Sequence, residues 1–291
     1  MTRHIRTLLL VASLVACTAT RPTNVEIAAL PHSSADTKTY AVHLHHEPVE
    51  GARSHMIVDA HERRTITVSG QPTANETKKS VHFDAVATIL TVEAGQEKST
   101  RYDVTSLVVD GTSIFRGQVD LARARKDLDA VLTTNGQPFD SDARDALDEV
   151  LTFHVGYDDD ALFGTSQLQR IGARWLINSS RSEQELSAAG IASASVSGAA
   201  TLDGVRRVGT LDCLDVHVTL HITNVDLNRD DVIVEDSAID GEQWGLYPVD
   251  GSRDPVEDHS IINVKYAMRA SAGETTVVEA TRRRDGRYEP L

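Results

Sequence analysis

From Thr39 onward the chain alternates apolar and polar residues in run after run, the period-two signature of half-buried β-strands. Tyr40, Val42, Leu44 and His46 share one side of the first run, with Ala41, His43 and His45 on the other. Similar runs cover 55–69, 80–93, 99–110, 113–121 and 129–134, and Asn135-Gly136 supplies a turn after the last. The period then changes. Ala143, Ala146, Leu147, Val150 and Leu151 recur at helical spacing behind a cap at Asp140 or Ser141. Beyond the acidic turn Asp158-Asp159-Asp160, strand runs resume at 172–186, 191–203, 206–224, 230–237, 242–247, 259–271 and 273–285. The last two read as a hairpin around Ser271-Ala272-Gly273.

This layout predicts a mostly β protein. Two antiparallel β meanders, 39–138 and 170–291, form a curved sheet, a sandwich or a half-open barrel, with a short helical segment at 139–169 between them. Residues 18–38 are polar, carry two prolines and hold no period, so they read as a flexible tether.

Residues 1–16 follow a different logic. Arg3 and Arg6 precede an apolar stretch from Leu8 to Leu14 that is too short to span a bilayer. Leu14-Val15-Ala16-Cys17 then resembles the lipobox of bacterial lipoproteins. Small residues there let a peptidase grip extended backbone, and the thiol receives the diacylglycerol. The resemblance implies that 1–16 are a signal peptide and that Cys17 is the lipidated N-terminus of the mature chain. Two acyl chains hold a protein stably on a membrane without crossing it. Thr18 rather than Asp after the cysteine favours the outer membrane over the inner within a cell envelope. Together with the two meanders, this resembles β-rich bacterial envelope lipoproteins of unknown function, in which an approximate x-x-G-x-x-W segment precedes the second meander. Here that segment is Arg170-Ile171-Gly172-Ala173-Arg174-Trp175. Some lipoprotein carriers present an apolar concave sheet face to acyl chains, and the resemblance extends that expectation to this chain.

Charge narrows the partners. The 291 residues hold 29 Lys and Arg against 43 Asp and Glu, a net of −14, which opposes general nucleic-acid binding. Without residues 1–16 the balance is 27 against 43. Cys213 is then the one remaining thiol; in the alternating run Leu211–Val216, flanked by Asp212 and Asp215, it reads as core.

Motifs for catalysis do not appear. Neither G-x-S-x-G nor S-x-x-K is present, and no phosphate-binding glycine loop follows a strand. His61-Glu62-Arg63-Arg64-Thr65 starts as a metalloprotease motif and lacks its second histidine. Asp226-x-Asn228-x-Asp230 lacks the glycine and glutamate of a calcium loop, Asp231 and Ser237 standing instead. With 4% aromatic residues the chain is poor in sugar platforms. Trp175 and Trp244 read as packing anchors. Asn75-Glu76-Thr77 and Asn178-Ser179-Ser180 fit the glycosylation pattern, which carries no weight in a bacterial lipoprotein. Arg282-Arg283-Arg284 with Arg287 reads as a solvated strand end, the alternative being contact with anionic lipid.

Histidines supply the rival chemistry. His43 and His45 share one strand face, His217 and His221 share another, and His82 lies on a third run. Should the two pairs meet, they form a zinc or copper site. The sequence therefore points to a non-catalytic, lipid-anchored envelope protein, without cofactor, that binds a hydrophobic ligand or a protein partner. A metal-binding protein or metalloenzyme built on His43, His45, His217 and His221 is the alternative.

Overall fold

The computed structural model describes residues 38–71, 73–124, 129–139, 141–153, 159–188, 191–227, 232–251, 253, 255–270 and 273–291. The expected β architecture is present as one antiparallel sheet of twelve strands. The first half comprises β1 (Arg53–Val68), β2 (Asn75–Glu93), β3 (Gln96–Val109), β4 (Thr112–Ala122), β5 (Val131–Thr134) and β6 (Gln137–Pro138). The second comprises β7 (Arg174–Leu176), β8 (Ser193–Val208), β9 (Leu211–Asp226), β10 (Val232–Pro248), β11 (Glu257–Ala270) and β12 (Thr275–Pro290). Three short helices, α1 (Ser141–Leu147), α2 (Asp159–Phe163) and α3 (Ser179–Ala188), lie between the halves or after β7.

Spatial order runs β6-β5-β4-β3-β2-β1-β12-β11-β10-β9-β8-β7, so each half is a meander and the first strand pairs with the last. The sheet does not close: the edges are the two-residue β6 and three-residue β7, too short to template a further chain along their own length. Asp110-Gly111 and Asn135-Gly136 turn two of the hairpins with φ near +50° and then above +70°, the left-handed pair that a type I′ turn requires.

Strand alternation gives the sheet two unlike faces. On the inner face, Met56, Val58, Ala60, Val81, Phe83, Leu107 and Leu121 build one core under α1 and the turn to Phe153. Leu214, Val216, Val218, Ile222, Ile262 and Val264 build the other under Ile177, Leu186 and Ile191. Arg123 pins the first cover: it is 8% exposed, pairs with Glu97 and donates to the Thr152 carbonyl.

Two elements differ from the sequence expectation. The run at 39–46 alternates as expected but is not a sheet strand. It is an extended strap whose Tyr40, Val42 and Leu44 bury themselves in the second core, not the first. A reciprocal Tyr40–Gln169 backbone pair holds it, as does a hydrogen bond from Leu44 N to Asp160 Oδ1 at 2.6 Å. Alternation reports which side is buried, and a strap laid on an apolar face shows the same period as a strand. Of the run at 172–186 only Arg174–Leu176 is strand; the rest contains α3, which Asn178 caps through Oδ1 to the Arg181 amide at 3.2 Å.

Boundaries moved elsewhere too. The runs at 230–237 and 242–247 are one strand passing through Gly241, and the β8–β9 turn falls at Gly209-Thr210. Asn228, Asp230, Asp231, Asp140, Asp158, Ser271 and Ala272 lie outside the described residues, as do residues 1–37.

Candidate functional site

The outer face carries no covering segment from the helices or the strap, and a row of side chains crosses it. Register places His217 of β9 opposite Trp244 of β10, Trp244 opposite His259 of β11, and His259 opposite Asp285 of β12. Asp285 stands opposite Asp59 of β1, and Asp59 opposite His82 of β2. Residues paired in register share a face, so this is a continuous line over six adjacent strands and across the join between meanders.

Three of the five steps are side-chain contacts. His217 and Trp244 stack with centroids 4.7 Å apart and planes 4° from parallel. His259 Nδ1 meets Asp285 Oδ1 at 3.0 Å, and its Nε2 lies 3.5 Å from Glu257 Oε2. His82 Nδ1 meets Asp59 Oδ1 at 2.8 Å. Two further pairs flank the row, His55 Nε2 to Asp84 Oδ1 at 2.9 Å and His221 Nδ1 to Asp240 Oδ1. Burial alone pulls the His259 imidazole down, but the hydrogen bonds and charges of Asp285 and Glu257 override it and hold the pKa at about 9. Asp285 is held below the usual carboxylate range: its own burial opposes this, and His259 and Arg283 prevail.

Beside the row lies a hollow of about 440 Å³, floored by β10, β11, β12 and β1 and rimmed by Arg63, Asp240, Asn263, Lys265 and Glu279. Its charges are largely spent on one another: Lys265 pairs with Glu279 at 2.8 Å, Arg63 with Glu76, and Asp240 with His221.

His43 and His45 belong to the strap on the inner side, whereas His217 and His221 stand on the outer side of β9. The sheet itself separates the pairs, so they share no coordination sphere. Among the described residues no three His, Cys, Asp or Glu side chains converge as metal ligands would. His43 instead lies 3.8 Å from Asp160, and His46 reaches the Gly251 carbonyl at 3.1 Å.

Trp175 packs against the second core and donates Nε1 to the Phe163 carbonyl at 2.7 Å. Trp244 is a half-buried outer-face ring stacked on histidine. Cys213 is fully buried with Leu246 and Val256, and that burial raises its thiol to about 11.

The arginine cluster is not a solvated strand end. β12 is central, and alternation sends Arg282 and Arg284 to the inner side and Arg283 to the outer. Arg282 donates to the carbonyls of Asp148 and Glu149, and Arg284 to Asp258 and the Tyr288 hydroxyl. Lys79 donates to the Asp145 carbonyl at 2.9 Å. These cations satisfy carbonyls at the end of α1 and in the turn beyond it. Sequence reasoning saw a run of three arginines with Arg287 nearby and missed that the period-two rule divides it.

No family model matches the chain, and no curated relative does. Among solved structures, DynF from the dynemicin biosynthesis pathway of Micromonospora chersina is 8% identical, over 93% of each chain, with a TM-score of 0.19. A DUF1329 family protein from Desulfovibrio piger ATCC 29098 is 10% identical over 77% of this chain and 83% of that one, with a TM-score of 0.14. At these scores the likenesses are too slight to transfer a role to this chain.

Proposed function

We propose that the chain is a non-catalytic, membrane-tethered binding protein of a bacterial envelope whose outer sheet face docks a protein partner. The observation that carries this reading is the His217–Trp244–His259–Asp285–Asp59–His82 row, which runs over six strands on the face opposite the strap and the described helices. The inner face, where an acyl ligand would lie, is filled by the strap and the helical segments. A half-buried tryptophan stacked on one histidine and in register with another, among hydrogen-bonded polar groups, has the composition of an interface anchor.

Cys17 supplies the membrane attachment through its diacylglycerol, and residues 18–38 separate it from the domain. Lacking residues 1–16, the chain carries 43 acids against 27 basic residues. It is repelled by anionic lipid and steered toward a partner with a basic surface. Among the described residues no helix is long and apolar enough to cross a membrane.

The test uses the full chain in its bacterial host with photo-crosslinking residues at Asp240 and Lys265, and with Val49 and Leu168 as exposed controls away from the row. A discrete protein adduct from the first two, absent from the controls and lost with Trp244→Ala, supports the reading. Adducts equal at all four positions would overturn it. A lipid-sized mass retained in native mass spectra would move binding to the inner face. Cys17→Ser tests the anchor separately: the protein should leave the membrane fraction and lose palmitate labelling.

A further inference from the structure

The two inner-face cores do not meet in apolar contact. Between them runs a polar seam made by Lys79 of β2, Glu62 and Arg64 of β1, Arg282 of β12, Tyr266 of β11, and Glu149 from the turn after α1. Glu62 stands in register with both Lys79 and Arg282, and Arg64 stands opposite Ala280.

Most of the seam is internally satisfied. Glu149 takes Lys79 and Arg282, each at 3.3 Å, and Glu62 takes one Arg64 nitrogen. Two donors remain. The Tyr266 hydroxyl belongs to a side chain only 1% exposed and has no partner, and neither does the buried Arg64 Nε. The two flank β12 on the inner side, Arg64 opposite Ala280 and Tyr266 opposite Val278, successive positions on that face, and the Arg64 charge acts on the Tyr266 hydroxyl. A buried unpaired donor costs roughly 1–3 kcal/mol, and two together mark a place prepared for an acceptor. Charge gives the sign: three cations, Lys79, Arg64 and Arg282, face two carboxylates, Glu62 and Glu149. One positive charge is left over. Access exists, because the Arg64 and Lys79 side chains keep 25% and 30% of their exposure.

We propose that the seam is a binding site for a single carboxylate, which accepts from Arg64 Nε–H and the Tyr266 hydroxyl and balances the surplus charge. A small free acid and the head group of an amphiphile offer this same carboxylate.

The experiment places the mature lipidated chain in nanodiscs and adds carboxyl-¹³C oleate or carboxyl-¹³C acetate, observed by NMR. A protein-bound carboxyl resonance that stays ionised at lower pH than the free or lipid-phase acid is expected. Oleate alone giving that signal identifies an amphiphile, and acetate also giving it identifies a small acid. Tyr266→Phe removes an oxygen that bonds to nothing, so it should leave the melting temperature unchanged or raised and weaken binding at least tenfold. The proposal fails if neither probe gives a bound resonance, if Tyr266→Phe binds as tightly as the parent, or if that variant is markedly less stable.

Discussion

Asp59 and Asp285 face each other across β1 and β12, the one strand pair that joins the two meanders, and each is met from its far side by a histidine. Two carboxylates in register would repel. His82 on the Asp59 side and His259 with Arg283 on the Asp285 side make that adjacency tolerable, so the join between halves depends on the protonation of His259.

Stability should therefore fall on the alkaline side. His259 has a folded pKa of about 9 against 6.5 unperturbed. A raised pKa means that its contribution is whole below pH 6.5 and is lost as pH climbs through 9. Urea unfolding at intervals from pH 6 to pH 10 should show a decline of up to about 3 kcal/mol over that window. His259→Gln should flatten it. A parent protein as stable at pH 9.5 as at 6.5 would refute the assignment.

The His217–Trp244 stack should appear as coupling. In a double-mutant cycle with His217→Ala and Trp244→Ala, the interaction energy should be about 0.5–1.5 kcal/mol. Additive losses would mean that the rings merely lie side by side.

Arg282 and Arg287 offer a contrast within one strand. Arg282→Ala takes one of its two cations from Glu149 and the Arg282 donor from two carbonyls, at a cost of about 2–4 kcal/mol. Hydrogen exchange should quicken over 141–153. Arg287 is exposed on the outer side, and Arg287→Ala should stay within about 0.5 kcal/mol. Equal effects would restore the view of these arginines as a solvated end.

The strap should behave as part of the second core. Leu44→Ala should cost about 2–4 kcal/mol and raise exchange in Leu214–Ile222, the strand it covers. Fraying confined to residues 38–46, with β9 still protected, would show that the strap is dispensable.

Period-two alternation in the sequence determined that this chain is β, where most of its strands lie and which side of each is buried, because side-chain direction along a strand is a local property. Asn135-Gly136 and the helical spacing of Ala143, Ala146 and Leu147 were legible for the same reason. Local pattern has no knowledge of neighbours. That β1 pairs with β12, that Tyr40, Val42 and Leu44 form a strap on the far half, and that His43 lies across the sheet from His217 were decided by tertiary packing. The same packing made the row. His217, Trp244, His259, Asp285, Asp59 and His82 come from six different strands, and only strand register, set by burial of the opposite side, brings them into one line.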